Sequence, residues 1–515
     1  MSPRTATSKR SNPARARAKA PALHVAMASS EIAPFARTGG LGDVLGSLPP
    51  ALERAGVRVS LIMPAYRSVL KGDHKLEETG IRFSVPVSDR IEEAEVLTAK
   101  IGKAVRVSFI RNDRYFDRDN LYFGPEGDYA DNAERFIFFS RAVLEVLRNE
   151  PPDVLHAHDW QTALAIVFLE TQPELYPELA GVRTVFSVHN LGYQGLFWKY
   201  DWHLLNLDWR FFTPQYLEFY DKINFLKGGV VFADRVATVS PRYAEEIKTP
   251  EYGFGLDGVF RDRDKDLAGI LNGLDYKLWN PETDTIIART YSSDDLSGKA
   301  ECKAELQNMM GLPVKADAPL VGMVTRLTSQ KGCDLLERVL PDLMGRDVQF
   351  AMLGSGEQTY MDIFGAMPER YPGRVAVHIG FDGTFVHKVI AGADMLLIPS
   401  RYEPCGLTQM QSLRYGTPPV VRATGGLADT IKEFDPSELT GNGFIFSPYE
   451  APDLLQAVDR ALLVYHSEPD WRILQENAMK ADFSWERSAK LYRELYQGLL
   501  AETTMEKRVS GNYPY

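Results

Sequence analysis

Cysteine is scarce in this chain: three residues, Cys302, Cys333 and Cys405, stand far apart in 515 positions. An odd, scattered set suggests neither a disulfide framework nor a zinc site, and it fits a reducing compartment. Long apolar runs are missing too. The stretch from Val389 to Pro399 is too short for a membrane span and carries Asp394. Basic charge is outweighed by acid outside the first twenty residues, where Arg4, Lys9, Arg10, Arg15, Arg17 and Lys19 occur without any acid. The whole chain has 58 basic against 69 acidic residues, so the body beyond this tail is strongly acidic. That balance argues against nucleic acid as a partner, because phosphate-backbone binding needs a broad basic surface. Local cations must do any phosphate binding. The tail, otherwise mostly Ala, Ser, Thr and Pro, reads as disordered. It lacks the apolar core of a secretory signal, and its Arg/Ser-rich character keeps a plastid-type transit peptide open beside the expected cytoplasmic location.

What the chain does have is size and alternation. With 44% hydrophobic and 25% charged residues, 515 positions suffice for two packed domains. Strand-like runs start at Leu23, Val57, Val105, Val154, Arg183 and Val236, with helical patterns between them. A second series is read at Leu267, Leu320, Val348, Val375, Met395 and Val420. This is the α/β pattern of two doubly wound domains facing across a cleft, whose ligands sit beyond the carboxyl ends of the strands. The boundary is placed in the charged run 261–266. The expected division is therefore a tail over 1–20, a first domain over 21–265, a second over 266–484 and a closing helix from Trp485. Periodicity does not say on which domain that helix packs.

Distinctive residues gather at the strand ends. After the first strand come Glu31, then Arg37-Thr-Gly39-Gly40-Leu-Gly-Asp43, opening a helix with Val44, Leu45, Leu48 and Leu52 on one face. Pro49-Pro50 inside that helix predicts a kink or an early end. The spacing is neither Gly-x-Gly-x-x-Gly nor a phosphate loop, so nicotinamide and kinase-type nucleotides lose support. His156-Ala-His158-Asp159-Trp160 ends another strand, and His189-Asn190 the next. Two histidines at i and i+2 point the same way on a strand, which suits a metal, but no third ligand accompanies them. A set of His, Asp, Trp, Asn and Tyr suits a sugar better, since hydroxyls need donors and acceptors and a ring face needs an aromatic. Hydrogen-bonded core histidines stay open as the plain alternative. Tyr129, Asp131 and Asn132 add polar groups to the same rim.

In the second half, Arg326 and Lys331 stand five positions apart on a loop between strand and helix, placed to grip a diphosphate, with a solvated surface pair as the alternative. Glu403-Pro-Cys405-Gly406-Leu407-Thr408 follows the Met395 strand and opens a helix with Leu407, Met410 and Leu413 on one side. Such a start can hold a sugar phosphate, and a simple capping role for Glu403 stays open. Gly354-Ser-Gly356, Gly380-Phe381-Asp382 and Thr424-Gly425-Gly426 close further strands.

Taken together, the 37–43, 156–160, 189–190, 272–275, 326/331, 403–409 and 424–426 motifs strongly resemble those of bacterial glycogen synthase and plant starch synthase, in order and from about Leu23 to the C-terminal helix. The resemblance implies the GT-B fold, two Rossmann-like domains with a C-terminal helix (485–505) returning to the first. It implies a retaining glucosyltransferase that extends an α-1,4-glucan from ADP-glucose, with no metal or other cofactor. Carried over residue by residue, it gives His158, Arg326, Lys331 and Glu403 to catalysis. Arg37, Gly39, Gly40, Gly354, Phe381, Cys405, Gly406, Leu407, Thr424, Gly425 and Gly426 fall to the donor, with Phe381 stacking on the base. Glu31, Asp43, Tyr129, Asp131 and Asn190 fall to the acceptor or the transferred sugar, and the carbonyl of His158 faces the anomeric carbon. Two departures stand out: Arg37 occupies a position the family usually gives to Lys, and Gln411 stands where the wider superfamily often has a second glutamate. The rivals are another GT-B enzyme, such as a UDP-glucose-using transferase or a phosphorylase, and a silent glucan-binding scaffold. Oligomeric state is not legible.

Overall fold

The computed structural model describes residues 22–380 and 382–502. The basic tail and Phe381 lie outside the described residues. Two sheets organise the chain. The first runs Leu267–Gly269, Arg235–Thr238, Arg183–Val188, Val154–His158, His24–Ala28, Arg58–Pro64, Val105–Arg111, Arg90–Ile101, Glu77–Val87. Its first seven strands are parallel and its last two add an antiparallel hairpin. The second sheet is wholly parallel, in the order Val375–Ile379, Gln349–Gly356, Leu320–Leu327, Met395–Ile398, Pro419–Arg422, Phe444–Phe446. The strands His24–Ala28 and Val154–His158 are buried at every residue, as parallel strands covered by helices on both faces must be.

Both sheets reverse direction of strand addition beside their first strand, and crevices for ligands form at such switch points. In the first sheet the reversal lies between His24–Ala28 and Val154–His158, which delivers the 31–43 loop and His158 to one place. In the second it lies between Leu320–Leu327 and Met395–Ile398, which delivers Arg326, Lys331 and Glu403. Topology thus converges residues that are up to 127 positions apart in the chain.

The lobes meet through two carboxylates that cap each other's helices. Asp429, on the helix Gly425–Thr430, accepts from the Ser240 hydroxyl at 2.6 Å and the Arg242 amide at 2.9 Å, at the start of Pro241–Glu246. Glu246 in turn accepts from the Gly425 amide at 3.0 Å and the Thr424 hydroxyl at 3.2 Å. Each negative charge meets the positive end of the other helix. The C-terminal helix Trp485–Ala501 packs on the first lobe, with Trp485, Ala489, Tyr492, Tyr496 and Leu499 in that lobe's core.

Three readings need correction. Leu267–Gly269, placed first in the second series, pairs with Arg235–Thr238 as an edge strand of the first sheet; a three-residue strand carries too little pattern to show which sheet it joins. The helix Gly40–Arg54 does not end early, since it continues through Pro49 and Pro50. Leu48, Pro49, Ala51 and Leu52 are buried there, and that packing offsets the missing backbone bond. The hairpin Glu77–Ile101 was not foreseen as strands, because charged residues crowd its exposed half.

Candidate active site

The second lobe presents a partly buried ion pair. Lys331 Nζ donates to Glu403 Oε2 at 2.6 Å, and the Ser400 hydroxyl donates to the same oxygen at 3.0 Å. Glu403 is 6% exposed, and its Oε1 has no hydrogen-bond partner among the described residues. Gly332 lets the Lys331 loop reach this depth: its φ is 81°, and a Cβ there would stand 2.2 Å from the Pro399 carbonyl oxygen. Arg326, at the end of Leu320–Leu327, is exposed, and its guanidinium makes no ion pair or hydrogen bond among the described residues. Its charge still acts on Tyr402, beside Glu403, so the free cation lies near the pair. Gly354 lies across from Thr325 in register and allows close strand approach, since a Cβ would meet the Thr325 carbonyl oxygen at 2.4 Å.

The Glu403 backbone is clamped from below. Gly426 N–H donates to the Glu403 carbonyl at 3.1 Å, and a Cβ on Gly425 (φ 44°) would stand 1.9 Å from that same oxygen. Thr424 and Gly425, assigned to the donor by resemblance, spend their hydroxyl and amide on Glu246. Cys405 is buried against the first lobe's core, and burial pushes its thiol up to about 12, which removes it as a nucleophile near neutral pH. Gly406 takes a left-handed turn (φ 73°) into the short helix Thr408–Arg414. Leu407 reaches across the cleft: its Cδ1 lies 4.0 Å from where a Cβ on Gly40 would be.

Facing this, the 31–43 loop is built around a buried carboxylate. Glu31 accepts from the Thr38 amide and hydroxyl, the Gly39 amide and the Tyr122 hydroxyl. These bonds hold Gly39 extended just before Gly40 opens the helix Gly40–Arg54 opposite Leu407. Arg37 pairs with Asp43 at 2.8 Å, both partly exposed, so these two assigned residues answer each other. Tyr129 stacks beneath Arg118 and near Arg135, and Asp131 is paired with Arg118. Tyr122 ties this rim to Glu31, since its carbonyl accepts from the Tyr129 amide at 3.0 Å.

The histidines form one row, with His156 and His158 buried and His189 half-buried. His156 is bonded to Tyr496 at 2.8 Å and Ser187 at 2.7 Å, and His158 Nδ1 to His189 Nε2 at 3.0 Å. Burial holds His156 down to about 3 and His189 to about 4, and drives His158 well below its usual value. All three are therefore neutral at physiological pH and supply no cation for a phosphate. His156 is a core residue, as the plain reading had it. His158 differs: its Nε2 is buried with no partner among the described residues, an arrangement that leaves a group for a ligand to satisfy. Its carbonyl accepts from the Thr162 hydroxyl at 2.8 Å. Asp159, at φ 58°, holds the His189 amide at 2.7 Å, and burial raises its carboxyl to about 7. Asn190 accepts from the Gly192 amide at 2.9 Å, beside the hydroxyl of Tyr402 from the other lobe.

Sequence reasoning missed Tyr122, Glu246 and Tyr402. Tyr402 lay next to a recognised motif and adjacency was its only signal; the other two belong to no local pattern.

Comparison with known proteins agrees with this geometry. Residues 24–262 match the model for the starch synthase catalytic domain, and 308–480 that for glycosyl transferases group 1. The glycogen synthase of Koribacter versatilis is 47% identical over 479 residues, covering 92% of this chain and 98% of that one. That of Thermotoga maritima is 45% identical over 488 residues, covering 93% and 99%. Among solved structures, the catalytic domain of starch synthase IV from Arabidopsis thaliana, bound to ADP and acarbose, superposes with a TM-score of 0.85 at 33% identity, covering 93% and 99%. Sucrose-phosphate synthase from Thermosynechococcus elongatus, at 0.59 and 19%, shares the fold. The chain is a GT-B glycosyltransferase and belongs to the glycogen and starch synthase family.

Proposed function

We propose that the chain transfers glucose from ADP-glucose to the non-reducing end of an α-1,4-glucan with retention at the anomeric carbon. The observation that carries this is the pairing of an engaged cation with a free one. Lys331 is locked to Glu403, while Arg326 beside them has no partner among the described residues, at a strand switch point facing the Gly39-Gly40 loop. Breaking a glycosyl–phosphate bond leaves negative charge on the departing diphosphate and positive character on the sugar. Arg326 grips the phosphates bidentately and Lys331, with two further N–H donors, bridges them to Glu403. The free oxygen of Glu403 accepts from sugar hydroxyls, and the neutral His158 Nε2 bonds the transferred glucose. Gly40, at the start of its helix, brings a backbone amide to the donor, while the Gly39 amide stays on Glu31. Glu31, through Thr38, Gly39 and Tyr122, fixes the loop that receives the acceptor. Arg37 with Asp43, and Tyr129 with Asp131, form the rim of that acceptor side.

The two lobes divide near residues 266–270 in this reading, with the donor bound mainly by the second. The chemistry uses the chain's own cations and needs no metal or other cofactor. Among the described residues no group of three or more His, Cys, Asp or Glu is disposed to hold a metal ion. Among the described residues no helix is long and apolar enough to cross a membrane.

The test is direct. Purified protein given glycogen and labelled ADP-glucose or UDP-glucose, with and without EDTA, is expected to lengthen α-1,4 chains from ADP-glucose in both conditions. No incorporation from ADP-glucose, or incorporation abolished by EDTA, would contradict the proposal.

A further inference from the structure

A set of exposed aromatic rings lies outside the site as described. Trp198 is 64% exposed, Tyr200 61% and Phe254 39%, although rings this large are normally covered unless they meet a partner. Two of these rings lie on or just beyond a three-stranded antiparallel sheet, Leu196–Trp198, Lys222–Asn224 and Glu218–Phe219. Trp198, Lys222 and Phe219 stand opposite one another across its strands, and such partners share a face. The alternate rung faces inward: Ile223 is buried and Phe197 packs on Phe225 and Trp160. Trp198 and Lys222 are exposed and Phe219 is half-buried, so the first rung faces solvent.

This face is continuous with the cleft. The Trp198 and Tyr200 rings are 4.5 Å apart at the outer end. At the inner end the Phe219 ring abuts Gly255, standing 2.8 Å from where a Cβ would be. The next residue back, Phe254, has its ring 5.3 Å from that of Tyr402, which adjoins Glu403. A cavity of about 270 Å³ opens here between the lobes, with Arg401 and Arg422 beside Phe254 and Tyr402.

We propose that this ribbon, from Tyr402 through Phe254, Phe219 and Lys222 to Trp198 and Tyr200, is a binding track for the α-glucan, holding glucosyl units beyond the one being extended. Its chemistry suits a sugar chain. Flat ring faces meet the C–H surfaces of the sugars, while Lys222, the Lys199–Asp221 pair and the two arginines supply partners for hydroxyls. A protein-docking surface would instead be expected to present contiguous apolar area with little charge at its centre. The inference rests on the proposed glucan-extending activity and deepens it. The track separates affinity for long acceptors from the chemistry of transfer.

The experiment compares the wild-type chain with Trp198→Ala/Tyr200→Ala, Trp198→Phe/Tyr200→Phe and Lys222→Ser. It uses electrophoresis through gels containing glycogen, and kinetics with glycogen or maltotriose as acceptor. The alanine pair is expected to weaken glycogen binding about tenfold. KM for ADP-glucose and turnover on maltotriose should stay unchanged, the phenylalanine pair should bind as wild type, and Lys222→Ser should show a smaller loss. Glycogen retardation equal to wild type in both the alanine pair and Lys222→Ser would overturn the track. So would sedimentation showing that the alanine pair dissociates a dimer, because the patch would then serve a second copy of the chain. Gel retardation reads binding whether or not glucose is transferred, so a failed transfer assay would strike the proposed activity and leave this measurement standing.

Discussion

Arg326→Ala is expected to lower turnover about 10²–10³-fold, the usual loss when one preorganised charge is removed from an electrostatic site. The melting temperature should scarcely move. Arg326 is exposed and without an ion pair or hydrogen bond among the described residues, and losses at such positions stay within about 0.5 kcal/mol. Glycogen binding should persist, since the aromatic and acceptor surfaces are untouched. This clean separation distinguishes Arg326 from Lys331. Removing Lys331 strands a nearly buried Glu403 and costs about 3 kcal/mol of stability besides its charge, so turnover and folding would fall together. Steady-state kinetics with varied ADP-glucose, beside thermal unfolding of both variants, reads the difference. An Arg326→Ala enzyme with near-native turnover would show that leaving-group charge is stabilised elsewhere.

The second large effect concerns a residue with no side chain. Gly425→Ala is expected to destabilise the protein by about 3–5 kcal/mol, from a left-handed backbone (φ 44°) and a Cβ 1.9 Å from the Glu403 carbonyl oxygen. The clash involves backbone on both sides, so no side chain can swing aside. Relief requires the Glu403 segment to shift, which would also lengthen the Lys331–Glu403 contact and depress turnover. Gly365→Ala is the control: nothing lies within 4 Å of its Cβ at the end of the helix Gln358–Gly365, and its urea midpoint should match or slightly exceed wild type. Equal midpoints for both variants would show that the Glu403 segment yields freely and is not held in place from below.

How much of this was legible beforehand follows from where each signal resides. The strands beginning near Val57, Val105, Val154, Val321 and Met395 announced themselves because buried parallel strands are continuous apolar runs. Their loops carried distinctive residues in an order that resembles a known family, so Arg326, Lys331, Glu403 and His158 could be named as candidates. Partnership was harder to read. Nothing local says that Lys331 pairs with Glu403, 72 positions away, or that Arg326 is left free; sheet order decides both. Glu246 and Tyr122 were invisible because each serves a distant segment, Gly425 and Glu31 respectively, through a single carboxylate or hydroxyl. Nor does anything local say that Arg37, expected at the donor, turns its fork to Asp43. The hairpin at Glu77–Ile101 hid behind its charges for the opposite reason: an exposed edge needs few apolar residues.

A crystal structure of the protein with ADP bound bears most directly on the central claim that two cations of the second lobe clasp the donor diphosphate at the strand switch point. The account predicts the Arg326 guanidinium and Lys331 Nζ at about 3 Å from phosphate oxygens, with Glu403 still on Lys331 and the Gly39-Gly40 loop across from them. A diphosphate bound away from both cations, with Arg326 turned to solvent, would contradict it.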